Sequence, residues 1–333
     1  MKILLYTENE KLVGKSGLGK AIKHQIKALD LVGVKYTLNK NDDYDILHIN
    51  TYFPKSYFVA RKAKKNGKKI VYHAHSTEED YRNGFIFSKI TSKIFKWWIV
   101  KCYSLGDIII TPTPYSKKIL SGYKGLKDKR IVDISNGIDL NLFKQDETLR
   151  EKFRQRYNYK DKDKIVFGIG LYIARKGILD FVELAKRLPQ YKFIWFGYSP
   201  LAFSGRRVRK AVKTKLSNLI FAGYVSPNII KEAMNGADLY LFPTLEETEG
   251  IPIIEACACK QHAIIRDIPI FDEWLVDGEN VHKAKDVDEF ESKIKLFFSG
   301  KLEDVTRNSY DVAKQRDLKV IGNKLKKVYE SLY

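Results

Sequence analysis

The sequence predicts an α/β protein of two doubly wound domains that face each other across a cleft. Three observations predict it. Short apolar runs alternate with longer amphipathic stretches along the chain, the pattern of parallel strands joined by right-handed helical crossovers. The runs form two series, separated by Asn136-Gly137-Ile138-Asp139 and a polar stretch to about Asp163. The length of 333 residues is more than one core comfortably uses and fits two.

In chain order, the first series of strands is predicted at 2–7, 44–49, 69–73, 107–111 and 130–134. Each is short and rich in β-branched or aromatic residues, as in Asp107-Ile108-Ile109-Ile110-Thr111. The second series is predicted at 164–170, 191–196, 219–221, 238–242 and 262–265. Helices fall between the runs. The domains are read as 1–143 and 144–315, and a helical tail at about 316–333 is expected to cross back onto the first.

The net charge is +20. Up to residue 143 there are 26 Lys+Arg against 13 Asp+Glu, and 34 against 27 in the remainder. The first domain is the more basic, which favours a polyanionic partner such as an anionic membrane surface or a phosphorylated ligand. A nucleic-acid partner is not expected. The basic run Arg206-Arg207-Val208-Arg209-Lys210-Ala211-Val212-Lys213 lacks the interleaved aromatics of a base-stacking platform. The three cysteines, Cys102, Cys257 and Cys259, have neither zinc nor redox spacing. They read as small buried residues in a reducing compartment. No apolar run is long enough for a bilayer span, and the first is too short for a signal peptide. A cytoplasmic protein, peripheral on the inner face of the cell membrane, is expected.

The densest chemistry lies in Glu247-Thr248-Glu249-Gly250-Ile251-Pro252-Ile253-Ile254-Glu255. It follows a strand that ends at Pro243. A turn and a helix beginning near Gly250 place Glu247 and Glu255 in the crevice where open α/β sheets bind ligands. Two carboxylates beside a helix N-terminus suit a ligand with hydroxyls near a phosphate. Arg175 and Lys176, in Gly170-Leu171-Tyr172-Ile173-Ala174-Arg175-Lys176-Gly177, could clamp a diphosphate or form a solvated basic loop. Gly14-Lys15-Ser16-Gly17-Leu18-Gly19 opens a helix and lets backbone approach a phosphate, but its spacing alone is weak.

His73 and His75 point the same way at a strand end. No third ligand for a metal is nearby, and the favoured reading is one structural and one functional histidine. Asp43-Tyr44-Asp45 precedes a strand rather than ending one, so it reads as a turn, and no metal site is predicted. Over 88–103, helical spacing puts Lys89, Lys93 and Lys96 on one face, with Ile90, Ile94, Trp97 and Trp98 opposite. This is either a membrane-surface helix or a domain helix with core aromatics.

Taken together, these residues resemble the family 4 retaining glycosyltransferases of the GT-B fold, over nearly the whole chain. Glu247 to Glu255 resembles the family's E-x7-E motif, 170–177 its G-R-x4-K-G loop, Ser16-Gly17 its glycine-rich loop and 136–139 its N-G-I-D segment. More narrowly, Gly14-Lys15-Ser16-Gly17, 73–80 and 111–117 resemble the Gram-positive enzymes that add a second hexose to monoglucosyl-diacylglycerol, the glycolipid anchor of lipoteichoic acid.

The resemblance implies two Rossmann-like domains and a hexosyltransferase that retains configuration, uses UDP-glucose or UDP-galactose and needs no cofactor or metal. It implies that Glu247 holds the donor sugar, with backbone of Gly250 and Ile251 nearby. Glu255 would hold the ribose and Lys176 the leaving diphosphate. Ser16 and Gly17 would bring N–H groups to that phosphate, and His75 would lie under the donor sugar. Lys89, Lys93, Lys96, Trp97 and Trp98 would face the membrane and the glycolipid acceptor. The alternatives are a soluble enzyme of the same family acting on a saccharide or protein, and, more remotely, a basic nucleic-acid-binding protein. Two positions depart from the family pattern. Leu171 stands where its arginine is expected, so Arg175 is the candidate for that charge, and Glu249, counted among the donor-binding residues, replaces a core aromatic and puts an extra charge near the donor sugar.

Overall fold

The computed structural model describes the chain except Lys15, Asn83 and 85–87, together with the side chains of Leu12 and Phe203. Lys15 of the glycine-rich segment thus lies outside the described residues. The chain divides into two compact units, one of residues 1–81, 90–139 and 316–333, the other of 82–89 and 140–315.

The first unit holds strands β1 (Ile3–Tyr6), β2 (Tyr36–Thr37), β3 (Ile46–Ile49), β4 (Lys69–His73), β5 (Ile108–Thr111) and β6 (Arg130–Asp133). They pair in parallel in the order β2-β1-β3-β4-β5-β6. Alternate residues go to opposite faces. Leu47, Ile70, Tyr72 and Ile109 pack with helix Ser88–Tyr103 through Ile99, Cys102 and Tyr103. Ile46, Val71, Ile108 and Ile110 pack with the C-terminal helix Leu318–Glu330 through Ile321, Leu325 and Val328.

That helix is held by the Asn136–Asp139 segment. Ile138 donates its N–H to Arg316 O at 2.9 Å, and Leu318 N–H returns to Ile138 O at 3.1 Å. His24 Nδ1 lies 2.8 Å from Gly137 O, and Lys27 pairs with Asp139.

The second unit holds β7 (Ile165–Ile169), β8 (Lys192–Phe196), β9 (Leu219–Gly223), β10 (Leu239–Phe242), β11 (Ala263–Arg266) and β12 (His282–Ala284). They pair in parallel in the order β12-β11-β10-β7-β8-β9. Counted from β7, this is the doubly wound dinucleotide-fold order 3-2-1-4-5-6 read in reverse, with the switch point between β7 and β10. Val166, Trp195, Leu239 and Leu241 share one core with Phe181 and Phe290.

All ten predicted strands form. Among the described residues, the two strands not predicted, β2 and β12, are edges of two and three residues. Neither carries an apolar run, and their pairing comes from the neighbouring strand rather than from their own sequence.

Candidate active site

At the switch point of the second unit, the loops after β7 and β10 are stitched together. Leu245 N–H donates to Arg175 O at 2.7 Å, and Thr244 Oγ lies 3.2 Å from the same oxygen. The cations sit on a single 3-10 turn, Ala174–Lys176. It ends at Gly177, whose φ of 77° and close approach to Pro243 O leave no room for a Cβ.

This stitching puts both cations on Glu247, which is 7% exposed. Lys176 Nζ donates to its Oε1, Thr244 Oγ to the same atom at 3.0 Å, and Arg175 Nη1 stands 3.8 Å from its Oε2. Burial alone pushes the Glu247 carboxyl pKa up. The charges of Lys176 and Arg175 and the hydrogen bonds from Lys176 and Thr244 outweigh it, and the group is held below the usual carboxylate range. A carboxylate offers about four lone-pair sites, more than Lys176 and Thr244 occupy. The site is therefore a charged, pre-oriented carboxylate beside two cations, suited to a polyhydroxy ligand joined to a diphosphate.

Gly250, left-handed at φ 86°, caps helix Ile251–Ala258. Glu255 is wholly buried on the helix, and Glu249 is 1% exposed just before it. Leu171 is 41% exposed, whereas Arg175 donates to Glu246 O at 2.6 Å. The charge of the 170–177 loop thus lies at Arg175 and Lys176. Thr244 is a member of this site that the sequence reading missed. Its only signal was its place directly after the strand-ending Pro243.

In the first unit, Ser16 caps helix Gly17–Leu31 and accepts from Gly19 N–H at 3.4 Å. The His73 and His75 rings stack at 4.0 Å and 14°. Burial drives both pKa values down, that of His75 to about 3, so both rings are neutral at neutral pH. Asn50 Oδ1 lies 3.2 Å from His75 Nε2. His48, wholly buried in β3, also joins this cluster. The sequence reading passed over it, although a histidine inside the run Ile46-Leu47-His48-Ile49 was a signal. The Asp43-Tyr44-Asp45 segment is engaged structurally: Asp43 pairs with Lys68, and Asp45 accepts from Lys2 N–H at 2.7 Å.

Helix Ser88–Tyr103 corrects two of the expected membrane residues. At about 100° per residue, Lys89, Ile90, Lys93, Ile94 and Trp97 lie within one arc rather than on opposite faces. Ile90, Ile94 and Trp97 are 77%, 68% and 60% exposed, and Lys89 and Lys93 are exposed beside them. Trp98 faces the core, packs at 5.5 Å on the Tyr57 ring and donates to Tyr52 O at 2.6 Å. Lys96 turns away to pair with buried Glu78 at 3.2 Å and lies 4.0 Å over the Tyr123 ring.

The chain shares its sequence pattern with known proteins along its full length. The profile "Glycosyl transferases group 1" matches residues 149–315 and "Glycosyltransferase Family 4" residues 23–142. The processive diacylglycerol alpha-glucosyltransferase of Acholeplasma laidlawii is 36% identical over 334 residues, covering 100% of this chain and 98% of that one. The chain is a family 4 glycosyltransferase of the GT-B fold. The alpha-galactosylglucosyldiacylglycerol synthase of Streptococcus pneumoniae is 26% identical to this glycosyltransferase over 81% of the chain and 74% of its own.

Among solved structures, Anabaena HepE in complex with UDP and glucose matches with a TM-score of 0.76 at 18% identity, over 99% of this glycosyltransferase and 100% of that chain. Sucrose-phosphate synthase from Thermosynechococcus elongatus matches with a TM-score of 0.81 at 16% identity, over 100% and 99%. At these identities the two structures establish the shared fold.

Proposed function

We propose that this glycosyltransferase moves glucose or galactose from a UDP-sugar onto a monoglucosyl-diacylglycerol, with retention and without a metal, on the cytoplasmic face of an anionic membrane. The full-length kinship with a diacylglycerol glucosyltransferase carries the reading. Two local features support it: the carboxylate–cation cluster at Glu247, and the lysine-flanked apolar face of helix Ser88–Tyr103. Among the described residues no helix is long and apolar enough to cross a membrane.

In this reading Glu247 accepts from the donor sugar's hydroxyls, and Glu255 from the ribose. The N-terminus of helix Ile251–Ala258 offers backbone N–H groups to the diphosphate, and in the first unit Gly17 keeps the phosphate role that the resemblance gives it. The lipid hydroxyl attacks the anomeric carbon on the face the diphosphate leaves. The bond from that carbon to the phosphate oxygen breaks, and the departing phosphate takes the hydroxyl's proton. No carboxylate of the enzyme needs to be a nucleophile. Lys176 and Arg175 stabilise negative charge that grows on the leaving group, an interaction worth most in the transition state.

The test is product analysis with radiolabelled UDP-glucose and UDP-galactose, on glucosyl-diacylglycerol in anionic vesicles. One labelled diglycosyl lipid is expected. No lipid product from either donor would overturn the reading, and activity on soluble saccharides without vesicle binding would favour a soluble member of the family. The name of the Acholeplasma relative favours a second reading, repeated addition, which would appear as a ladder of longer products.

A further inference from the structure

A buried polar chain in the first unit ends on His75. His48 Nδ1 lies 2.7 Å from Tyr329 Oη on the C-terminal helix. Gln25 Nε2 lies 2.9 Å from His48 Nε2 and 3.2 Å from His48 Nδ1, and His48 Nε2 lies 3.2 Å from His73 Nδ1. Asn50 Nδ2 donates to Gln25 Oε1 at 2.8 Å, and Asn50 Oδ1 lies 3.2 Å from His75 Nε2. Burial keeps all three imidazoles neutral, so each has one N–H and one lone pair.

With the Gln25 amide presenting its N–H groups to both His48 nitrogens and its oxygen to Asn50, two proton arrangements of the imidazoles satisfy the chain. In the first, Gln25 and His73 donate to the His48 Nε2 lone pair, and His48 Nδ1–H donates to Tyr329. His73 then carries its lone pair on Nε2. In the second, Gln25 and Tyr329 donate to His48 Nδ1, His48 Nε2–H donates to His73 Nδ1, and the His73 proton sits on Nε2. That atom is buried without a hydrogen-bond partner among the described residues. A buried N–H without a partner is the costlier orphan, because a lone pair loses less on leaving water. The first arrangement is selected. Asn50 Nδ2 is spent on Gln25 Oε1, so Asn50 Oδ1 accepts from His75, which puts the His75 proton on Nε2.

We propose that Asn50, Gln25, His48 and Tyr329 are positioning residues that lock His75 in the Nε2–H tautomer, leaving Nδ1 as a lone pair to accept from a sugar hydroxyl. Because Nε2 is committed to Asn50, Nδ1 is the nitrogen left to meet substrate. The hydroxyl belongs to the donor sugar or to the glycolipid. The inference rests on the role given to His75 above.

The experiment uses the full-length protein with 15N-labelled histidine. The chain has six histidines, so the His75 signals are assigned by their loss in His75→Gln. The wild type should show a protonated Nε2 and an unprotonated Nδ1. A proton on Nδ1 would overturn the proposal before any positioning residue is changed.

Asn50→Leu and Tyr329→Phe, checked for folding by circular dichroism, should mix the tautomers. Both should lower kcat at least about tenfold, as loss of an orienting partner does, with the KM for UDP-glucose little changed. A folded Asn50→Leu with the wild-type tautomer and kcat would also overturn it. If slow hydrolysis of UDP-glucose without lipid falls in parallel with transfer, the hydroxyl is the donor's. If only transfer falls, it is the lipid's. Full activity of His75→Gln would sink the role of His75 itself, a failure distinct from that of the positioning chain.

Discussion

Lys176 donates to Glu247 across 71 residues of sequence, and the carboxylate it meets is almost wholly buried. The pair does two things at once. It keeps Glu247 charged at a place where burial favours the neutral acid, and it parks the ammonium next to the group that would hold the sugar. Removing either partner therefore has a structural as well as a catalytic effect.

Lys176→Ala is expected to lower kcat/KM by at least about tenfold, or about 1.4 kcal/mol. It also leaves Glu247 buried with less compensation, which destabilises the fold. The double variant Lys176→Ala/Glu247→Gln separates the effects. Its melting temperature should recover relative to the single variant, while its activity should not. Wild-type turnover in Lys176→Ala would remove the residue from the site.

Two glycines of one motif should behave in opposite ways. A Cβ at Gly19 would lie 2.4 Å from Val13 O and 2.6 Å from Gly14 Cα, whereas one at Gly17 meets nothing within 4 Å. Gly19→Ala should destabilise the protein measurably in a thermal melt. Gly17→Ala should melt like the wild type and lose donor affinity, because the space above Gly17 is reserved for phosphate in the proposed function. Unchanged UDP affinity in Gly17→Ala would detach that glycine from the donor.

The same contrast explains what the sequence made legible. Strand positions follow from apolar runs such as Ile108-Ile109-Ile110, which leave little choice of conformation. The cluster at Glu247 was legible because its members lie on loops that leave the strands at the switch point. The faces of helix Ser88–Tyr103 were misread for a physical reason. Lys96 and Trp98 are amphipathic side chains whose heads find buried partners, Glu78 and Tyr52 O, and composition does not disclose partners distant in sequence. The His48 cluster was hidden likewise, since its partners Gln25 and Tyr329 lie far along the chain.

The buried histidines predict an acid-sensitive fold. The pKa values of His48 and His75 fall from 6.5 to about 3, and that of His73 well below 6.5. Below about pH 6.5 the unfolded chain takes up protons that the folded chain refuses, so stability falls as the pH drops. Each such group adds a slope of up to about 1.4 kcal/mol per pH unit. His262, lowered by burial, adds to it. Urea midpoints measured from pH 7 to 5, above the main carboxylate range, should decline steadily. A flat profile would mean that these rings protonate in the folded state.

Chelation is a direct test of the metal-free proposal. With Lys176 and Arg175 meeting the diphosphate charge, enzyme treated with EDTA should retain its initial rate. Loss of activity that returns with a divalent cation would overturn that part of the mechanism.

The membrane face makes a prediction in which two lysines three residues apart diverge. Lys93 is exposed beside Ile90, Ile94 and Trp97. A lysine near an anionic surface contributes about 1 kcal/mol, so Lys93→Ala should weaken binding to anionic vesicles about fivefold and leave the melting temperature unchanged. Lys96 pairs with Glu78, which is 5% exposed. Lys96→Ala removes a cationic partner of that buried carboxylate and should lower the melting temperature while vesicle binding of the folded protein holds. Ile94→Ser/Trp97→Ser removes the apolar part of the face and should release the protein from vesicles in flotation. If flotation is unchanged in that double variant, the helix is not the docking face and the lipid must be met elsewhere.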